Sequence, residues 1–170
     1  SEDDSVSITS AGAITIAGAG SGIRVLDTTG AAGAAVISIT STGGGIQVNQ
    51  LVNNLSGNVS SAVNIDAQGI NSDVTNTAQI SVAGGGSVLI KADDSVFFAS
   101  TGAILAEGGG SVTLRGNDDA LTGNSGDVIT MTDGSVVDAG SGAIDFEAKG
   151  SLTIGRLVTT STTDTSVALT

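Results

Sequence analysis

The fold is decided by the stretch from residue 80 to residue 114, which reads ISVAGGGSVLIKADDSVFFASTGAILAEGGGSVTL. Aliphatic residues recur at every eighth position, and the residue two positions further on is usually apolar too, as at Val82, Ile90 and Phe98. An apolar pair at i and i+2 lies on one face of a strand. The eight-residue step continues beyond this stretch, and it predicts inward-pointing side chains at Ile80, Val88, Val96, Ile104, Val112, Ala120, Val128, Val136, Ile144 and Leu152.

Each eight-residue unit therefore predicts a short strand followed by a corner of Gly, Asp, Asn or Ser residues. The step of eight, the glycine content and the abundance of Val, Ile and Thr argue against helix. Three steps span 24 residues, and at that offset like residues coincide: Lys91 with Arg115, Val88 with Val112, and Asp94 with Asp118. The Gly84–Gly86 run likewise meets Gly108–Gly110.

This coincidence predicts an all-β fold, a right-handed parallel β-helix with three sides and about 24 residues per coil. Neighbouring coils would lie ~4.8 Å apart, so 170 residues make about seven coils. An antiparallel sandwich would show less uniform turns at alternate ends of its strands. A two-sided roll of 16 residues per coil stays open, because positions 80, 96 and 112 also match.

A longer repeat overlies the short one, since residues 87–114 align without gaps on residues 127–154. The offset of 40 residues is five steps, which is not a multiple of three. Similar strands should then fall on different sides, and the three sides should be nearly equivalent. In this frame Thr130 and Asp138 take inward positions, which indicates either a break in register or a buried polar ladder.

The N-terminal half is less regular, and residues 45–74 contain six Asn. We expect a protruding loop near residues 49–61 that leaves the stack and rejoins it. Residues 1–5 form a predicted acidic tail, and residues 1–170 as a whole form one predicted solenoid domain.

The composition limits the chemistry of the chain, because it contains no His, Cys, Pro, Trp or Tyr. Imidazole and thiolate chemistry are excluded, as are disulfides. With 17 acidic against 5 basic residues the net charge is −12, which disfavours nucleic acid and anionic membrane surfaces as partners. No apolar run is long enough for membrane insertion.

We expect no enzymatic activity, no catalytic residues and no cofactor other than a metal ion. Paired carboxylates leave a carbohydrate-active β-helix enzyme as an alternative. Sugar sites usually include aromatic platforms, however, and the aromatic residues here are Phe97, Phe98 and Phe146, two of which are predicted to point inward.

The acidic corners suggest a calcium site, since Asp93 and Asp94 should stack near Asp118 and Asp119 one coil later. Carboxylate oxygens are the ligands that Ca²⁺ prefers, and a bridging cation would relieve their repulsion. The alternative is that these residues are solvated turn formers. A calcium-dependent extracellular binding module is therefore a second functional hypothesis.

Three blocks carry a resemblance to a known class of proteins: GAILAEGGGSVTL at 102–114, GDVITMTDGSVVDAGSGAI at 126–144 and KGSLTIGRLVTT at 149–160. They resemble the repetitive β-helical segments of filamentous-haemagglutinin-like exoproteins and related giant bacterial surface adhesins. The resemblance implies a secreted or cell-surface structural rod, of bacterial origin, without catalytic residues.

The termini indicate how such a rod would extend, because neither contains a recognisable helix or polar repeat that would cap an open strand edge. The expected partner is therefore another copy of the chain or the rest of a longer repeat chain, joined end to end, together with cell-surface or matrix components.

Overall fold

The structure is a computed structural model, and it describes residues 5–20, 22–26, 34–116, 127–162 and 167–170. In these ranges the chain is all-β and contains no helix. Nineteen short strands form three parallel sheets, one of seven strands and two of six. The chain visits the sheets in turn, one strand in each, so every third strand stacks on the same side.

The first sheet, sheet A, consists of β1 (Val6–Ser10), β4 (Val36–Ser41), β7 (Ala62–Ala67), β10 (Ser87–Ala92), β13 (Val112–Gly116), β16 (Ile144–Ala148) and β19 (Val167–Leu169). Sheet B consists of β2 (Ile14–Ile16), β5 (Ile46–Val48), β8 (Val74–Asn76), β11 (Val96–Phe98), β14 (Ile129–Met131) and β17 (Leu152–Thr153). Sheet C consists of β3 (Ile23–Val25), β6 (Val52–Asn54), β9 (Gln79–Val82), β12 (Ala103–Ala106), β15 (Val136–Asp138) and β18 (Arg156–Val158). The prediction of a three-sided parallel β-helix of about seven coils is confirmed, and the two-sided roll is wrong.

The predicted stacking is also confirmed where the residues are described. Val88 pairs with Val112 and Lys91 with Arg115 between β10 and β13, and Ile80 pairs with Ile104 between β9 and β12. Asp118, the expected neighbour of Asp94, lies outside the described residues.

The core runs along the inside of the three sheets as columns of aliphatic side chains. In sheet A one column passes from Ile37 through Val63 and Val88 to Val112 and Ile144, all of which are buried. Alternate residues of each strand point outward, in keeping with the two-residue period of a strand. The core is thus narrow, and each inward side chain packs on its counterparts in the coils above and below.

The eight-residue frame fails in β14 and β15, and it holds again in β16, where Ile144 is buried as predicted. Val128 and Val136 were predicted to point inward, but both are half-buried, and their neighbours Ile129 and Val137 are buried instead. The connection from β13 to β14 spans residues 117–128, whereas that from β10 to β11 spans only residues 93–95. The inward positions in β14 and β15 are thus shifted by one residue, and the apparent inward positions of Thr130 and Asp138 reflect a break in register. Position 120 lies outside the described residues.

The 40-residue repeat does place similar strands on different sides. The segment 103–106 is in sheet C, and its counterpart, residues 143–146, contributes to β16 in sheet A. Likewise 112–114 is in sheet A and 152–154 contributes to β17 in sheet B. One sequence pattern therefore fits more than one side of this solenoid.

The Asn-rich region is part of the stack as well. β6, inside the expected loop at 49–61, pairs with β3 and with β9. The segment that connects strands here is residues 55–61, where Val59 is 74% exposed. Residues 1–4 of the expected acidic tail lie outside the described part of the chain.

Candidate functional site

Two acidic residues at the corner between sheets A and B accept hydrogen bonds from backbone groups of the neighbouring coil. Asp93 Oδ2 accepts a hydrogen bond from the backbone N–H of Asn71 at 2.6 Å, and Asp73 Oδ1 accepts one from the N–H of Ser95 at 3.1 Å. The Asn71 backbone has φ 56°, a left-handed conformation that Asn tolerates well. These carboxylates thus hold successive corners of the stack together.

The two described calcium candidates differ in their surroundings. Asp93 is buried, with 2% exposure, and its side chain holds the neighbouring turn. Asp94 is half-buried, and its Oδ1 accepts a hydrogen bond from the Ser95 hydroxyl at 3.3 Å. The other candidates, Asp118 and Asp119, lie outside the described residues. Within the described ranges no three acidic side chains come together in a group that could hold a metal ion.

The surroundings of this corner shift the pKa of the Asp73 carboxyl. Burial raises the pKa of the Asp73 carboxyl above its usual value of 3.8, and the nearby charge of Asp94 raises it too. The hydrogen bond from the backbone N–H of Ser95 acts in the opposite direction. Folding therefore disfavours the charged form of Asp73, chiefly because burial removes water from the carboxylate.

Charged side chains also form a ladder on the outer face of sheet A. Along this column Asp66 pairs with Lys91, Lys91 with Arg115, and Arg115 with Glu147. The Arg115 guanidinium contacts Asp145 Oδ2 at 2.6 Å and Glu147 Oε2 at 3.2 Å. Arg115 thus pairs with carboxylates in the next strand of its own sheet. Such half-exposed pairs contribute little to stability.

The triple-glycine runs form the corners between sheets C and A. Gly84, Gly85, Gly108 and Gly109 all have positive φ. A Cβ at Gly110 would overlap the carbonyl oxygen of Gly86 in the coil before. The glycines are required because backbones of successive coils approach closely here, so they form a structural corner.

Sequence reasoning missed two buried asparagines at the ends of strands. Asn54 Nδ2 donates to the carbonyl oxygens of Ala35 at 2.7 Å and Ala62 at 3.1 Å, and its Oδ1 accepts from the N–H of Ser56 at 3.1 Å. Asn76 is also fully buried, and its Oδ1 accepts from the N–H of Ala78 at 3.2 Å. In the sequence each asparagine follows a core valine by two residues. That is an inward position on a strand, so the spacing could have indicated that the asparagine is buried.

Two concavities lie near the ends of the described stack. A cavity of about 410 Å³ opens at the N-terminal end of the stack, beside Ile8, Ile16 and Ile23. Another of about 590 Å³ lies near the C-terminal end and includes Asp133 and Arg156 in its lining. The first is the open end of the core, lined largely by apolar and glycine residues.

The two ends of the described stack expose strand edges. β1, β2 and β3 pair on one side only, and so do β17, β18 and β19. Inward-pointing Val167 and Leu169 are 40% and 44% exposed on top of the last coil. Unpaired strand edges beside exposed aliphatic side chains are surfaces that favour the addition of further strands.

Comparison of the chain with protein-family models, with curated proteins and with solved structures finds no match. Among the described residues, no helix has the length and apolar character needed to cross a membrane.

Proposed function

We propose that the chain is a non-catalytic structural rod of a secreted or cell-surface bacterial fibre or adhesin. Further β-coils would add end to end at its open edges, supplied by another copy or by the rest of a longer repeat chain. The observation that carries the proposal is the ladder of parallel strands on all three sides, in which each described coil stacks on the one before it.

The energetics of a solenoid support this role. Each coil contacts only its neighbours, so length can increase without any change in the core. The resemblance of residues 102–160 to surface exoproteins agrees with an extended scaffold outside the cell. The net charge of −12 would favour solubility of the faces that remain exposed.

Electron microscopy of the source cells, with an antibody against the chain, tests the proposal. We expect the label on fibres or rods at the cell surface or in the surrounding matrix. Label confined to the cell interior would contradict a surface rod.

A calcium-dependent binding module is a second candidate, because the charge of Asp94 acts on the Asp73 carboxyl one coil away, and a cation between these two carboxylates would relieve that repulsion. If Ca²⁺ binds the folded chain alone, the melting temperature rises with calcium concentration, and at 100 times the Kd the gain is about 2.7 kcal/mol. Asp94→Asn should abolish that shift, while Asp133→Asn, in an exposed turn, should retain it. An unchanged melting temperature at millimolar Ca²⁺ would exclude this function.

A further inference from the structure

One outward row of side chains on sheet B differs from the rest of the outer surface. It takes one residue from each strand of the sheet, in register: Thr15, Gln47, Thr75, Phe97, Thr130 and Thr153. We call this row the sheet B column. It contains hydroxyl groups, one amide and one aromatic ring, and it has no charged side chain. The outer face of sheet A, in contrast, carries Lys91, Arg115 and Glu147, and that of sheet C carries Arg24 and Asp138.

Phe97 is the aromatic residue that points outward. The other two phenylalanines, Phe98 and Phe146, are fully buried in the core. Phe97 is half-buried, and its register neighbours in the adjacent coils are Thr75 and Thr130. An aromatic ring between hydroxyl groups is an arrangement that binds sugars, because the C–H groups of a pyranose pack on the ring while its hydroxyl groups bond to the polar neighbours.

A cavity of about 230 Å³ lies on the same face of sheet B, in the three coils that precede β11. Its lining includes three members of the sheet B column and two residues of the adjoining corner: Thr15, Gln47, Thr75, Asn71 and Asp73. Since Phe97 pairs with Thr75, the ring lies one strand beyond the cavity. The cavity is smaller than the ~300 to 1,000 Å³ of sites for drug-sized molecules, and it is sufficient for about one sugar ring.

The polar groups of the sheet B column are available to a ligand. On sheet C the corresponding outward groups bond to each other, since the Ser81 hydroxyl donates to Asn53 Oδ1 at 3.0 Å. Within the described ranges, the side chains of Thr15, Gln47 and Thr75 make no hydrogen bond to another residue. Hydroxyl and amide groups both donate and accept, as a ligand with many hydroxyl groups requires.

The adjoining corner adds a carboxylate and a second amide. Asp73 is half-buried, and its Oδ1 accepts from the backbone N–H of Ser95 at 3.1 Å. A carboxylate has about four lone-pair sites, so it can accept further bonds from a ligand. Asn71 is exposed, and its backbone N–H is held by Asp93. Hydrogen bonds from sugar hydroxyl groups to a carboxylate are charge-assisted and therefore stronger than those to neutral groups.

The spacing of the sheet B column is suited to a linear glycan. Neighbouring strands lie ~4.8 Å apart, so Thr15 and Phe97 are about 14 Å apart along the stack. The strand spacing is similar to the length of one pyranose residue in an extended glycan. Successive sugar rings can therefore bond to successive coils.

The charge of the chain favours an uncharged glycan. The five basic residues all lie outside the cavity, at Arg24, Lys91, Arg115, Lys149 and Arg156. No cation in the cavity lining would offset the charge of a sulfated or uronic-acid polymer, and the net charge of −12 repels such a polymer.

We propose that this face of sheet B binds an uncharged linear glycan, with the ring of Phe97 as the stacking surface and with Gln47 and Asp73 as hydrogen-bonding groups. The site lies on the side of the stack. The proposal therefore goes beyond the rod function, and it does not depend on how coils are joined.

Nuclear magnetic resonance of the isotope-labelled chain tests the proposal. The ligands are short neutral oligosaccharides of glucose, galactose, mannose, xylose and N-acetylglucosamine, and sulfated and uronic-acid oligosaccharides serve as the anionic comparison. We expect saturable shifts of the Gln47, Thr75 and Phe97 signals with a neutral series and none with the anionic sugars. No such shifts with any neutral series, or shifts with the anionic sugars alone, would overturn the proposal.

Phe97→Leu locates the site, because leucine keeps an apolar side chain but has no flat ring. We expect the affinity for the neutral oligosaccharide to fall about tenfold. Leu105→Ala is the matched control. It shortens an outward, half-buried apolar side chain of the next strand, on sheet C, and it should leave the affinity unchanged.

Gln47→Ala is a second variant that does not depend on the packing of Phe97. Gln47 is exposed, so the urea midpoint should stay unchanged, while the loss of its hydrogen bonds should weaken glycan binding about threefold to tenfold. Binding that is unaffected by both variants would overturn the assignment to sheet B.

Sedimentation velocity distinguishes a glycan site from a contact between copies of the chain. We expect the same sedimentation coefficient for Phe97→Leu and the parent protein. If the parent protein associates and Phe97→Leu abolishes that association, this face is a protein contact and the proposal fails. The rod function is unaffected by these results, since labelling of the source cells tests it.

Discussion

At the scale of single residues, stability depends on how closely successive backbones approach. The corner glycines of the two triple-glycine runs lie against one another, and the space beside Gly110 is filled by the carbonyl of Gly86. Sequence alone identified these runs as corners, because they recur at an offset of 24 residues. It could not identify which glycine is sterically required, since that depends on the neighbouring coil.

The first prediction concerns Gly110→Ala. The added methyl group must displace the backbone of the preceding coil, so we expect the free energy of unfolding to fall by about 2 kcal/mol or more. Gly12→Ala is the matched control, because no atom lies within 4 Å of a Cβ at Gly12, and its effect should stay within about 0.5 kcal/mol. Urea denaturation measures both values, and equal losses would contradict the steric explanation.

The second prediction concerns the raised pKa of Asp73. The unfolded chain releases this proton near pH 3.8, whereas the folded chain retains it to higher pH. The folded state therefore binds more protons in that window, and the Asp73 contribution to stability decreases as the pH rises through it. Asp73→Asn keeps an oxygen that can accept from the N–H of Ser95 but carries no charge.

We therefore expect Asp73→Asn to be more stable than the parent protein at neutral pH, and this difference to vanish below about pH 3.8. The measurement is the urea midpoint as a function of pH. Asp133→Asn removes the same charge from an exposed turn and serves as the control. A stability difference that is independent of pH, or that grows in acid, would refute the assignment.

At the scale of elements, each strand has only three to six residues in most of the stack, so its position depends on the corners at its ends. The connection between β6 and β7 shows this dependence. Asn54 ends β6 in an inward position and bonds three backbone groups around the corner. An amide can satisfy both donors and acceptors in one buried site, which no aliphatic side chain can do.

The third prediction is that Asn54→Ala lowers the free energy of unfolding by about 2 to 4 kcal/mol, because buried backbone groups lose their partners. Asn53→Ala is the control on the same strand. Asn53 points outward, and its Oδ1 accepts from the Ser81 hydroxyl at 3.0 Å, a bond that water can replace. We expect a loss below about 1 kcal/mol there. Similar losses for both variants in urea denaturation would argue against the buried corner.

At the scale of the whole molecule, the solenoid behaves as a stack in which coils are interchangeable. Deletion of residues 90–113 removes one coil and joins Leu89 to Leu114. The inward and outward alternation continues across that junction, since Leu89 points outward and Leu114 inward. Because the remaining strands can pair as before, the fourth prediction is that this variant folds into a parallel β-helix shorter by about 4.8 Å.

Deletion of residues 90–112 is the control. It differs by one residue, which turns Thr113 inward and Leu114 outward and places the Arg115 guanidinium in the core. We expect it to be unfolded or aggregated. Circular dichroism, urea denaturation and sedimentation compare the two variants, and equal stability would show that register is not set by the core.

The sequence by itself determined the strands and their inward faces from Ile80 to Leu114, because the two-residue alternation and the equal steps of eight leave little freedom for inward side chains. Only the structure decided between two sides and three, since a step of eight fits both. The tertiary structure alone decided the frame of β14 and β15, since a shift by one residue leaves an apolar side chain at the inward positions of either frame, as at Val128 and Ile129 or Val136 and Val137. It also decided the roles of Asp93 and Asn54, whose partners lie in other coils or beyond the next corner. Above all it decided which strands stack on one another, because the partners in each sheet are every third strand along the chain and follow only from the winding of the described stack.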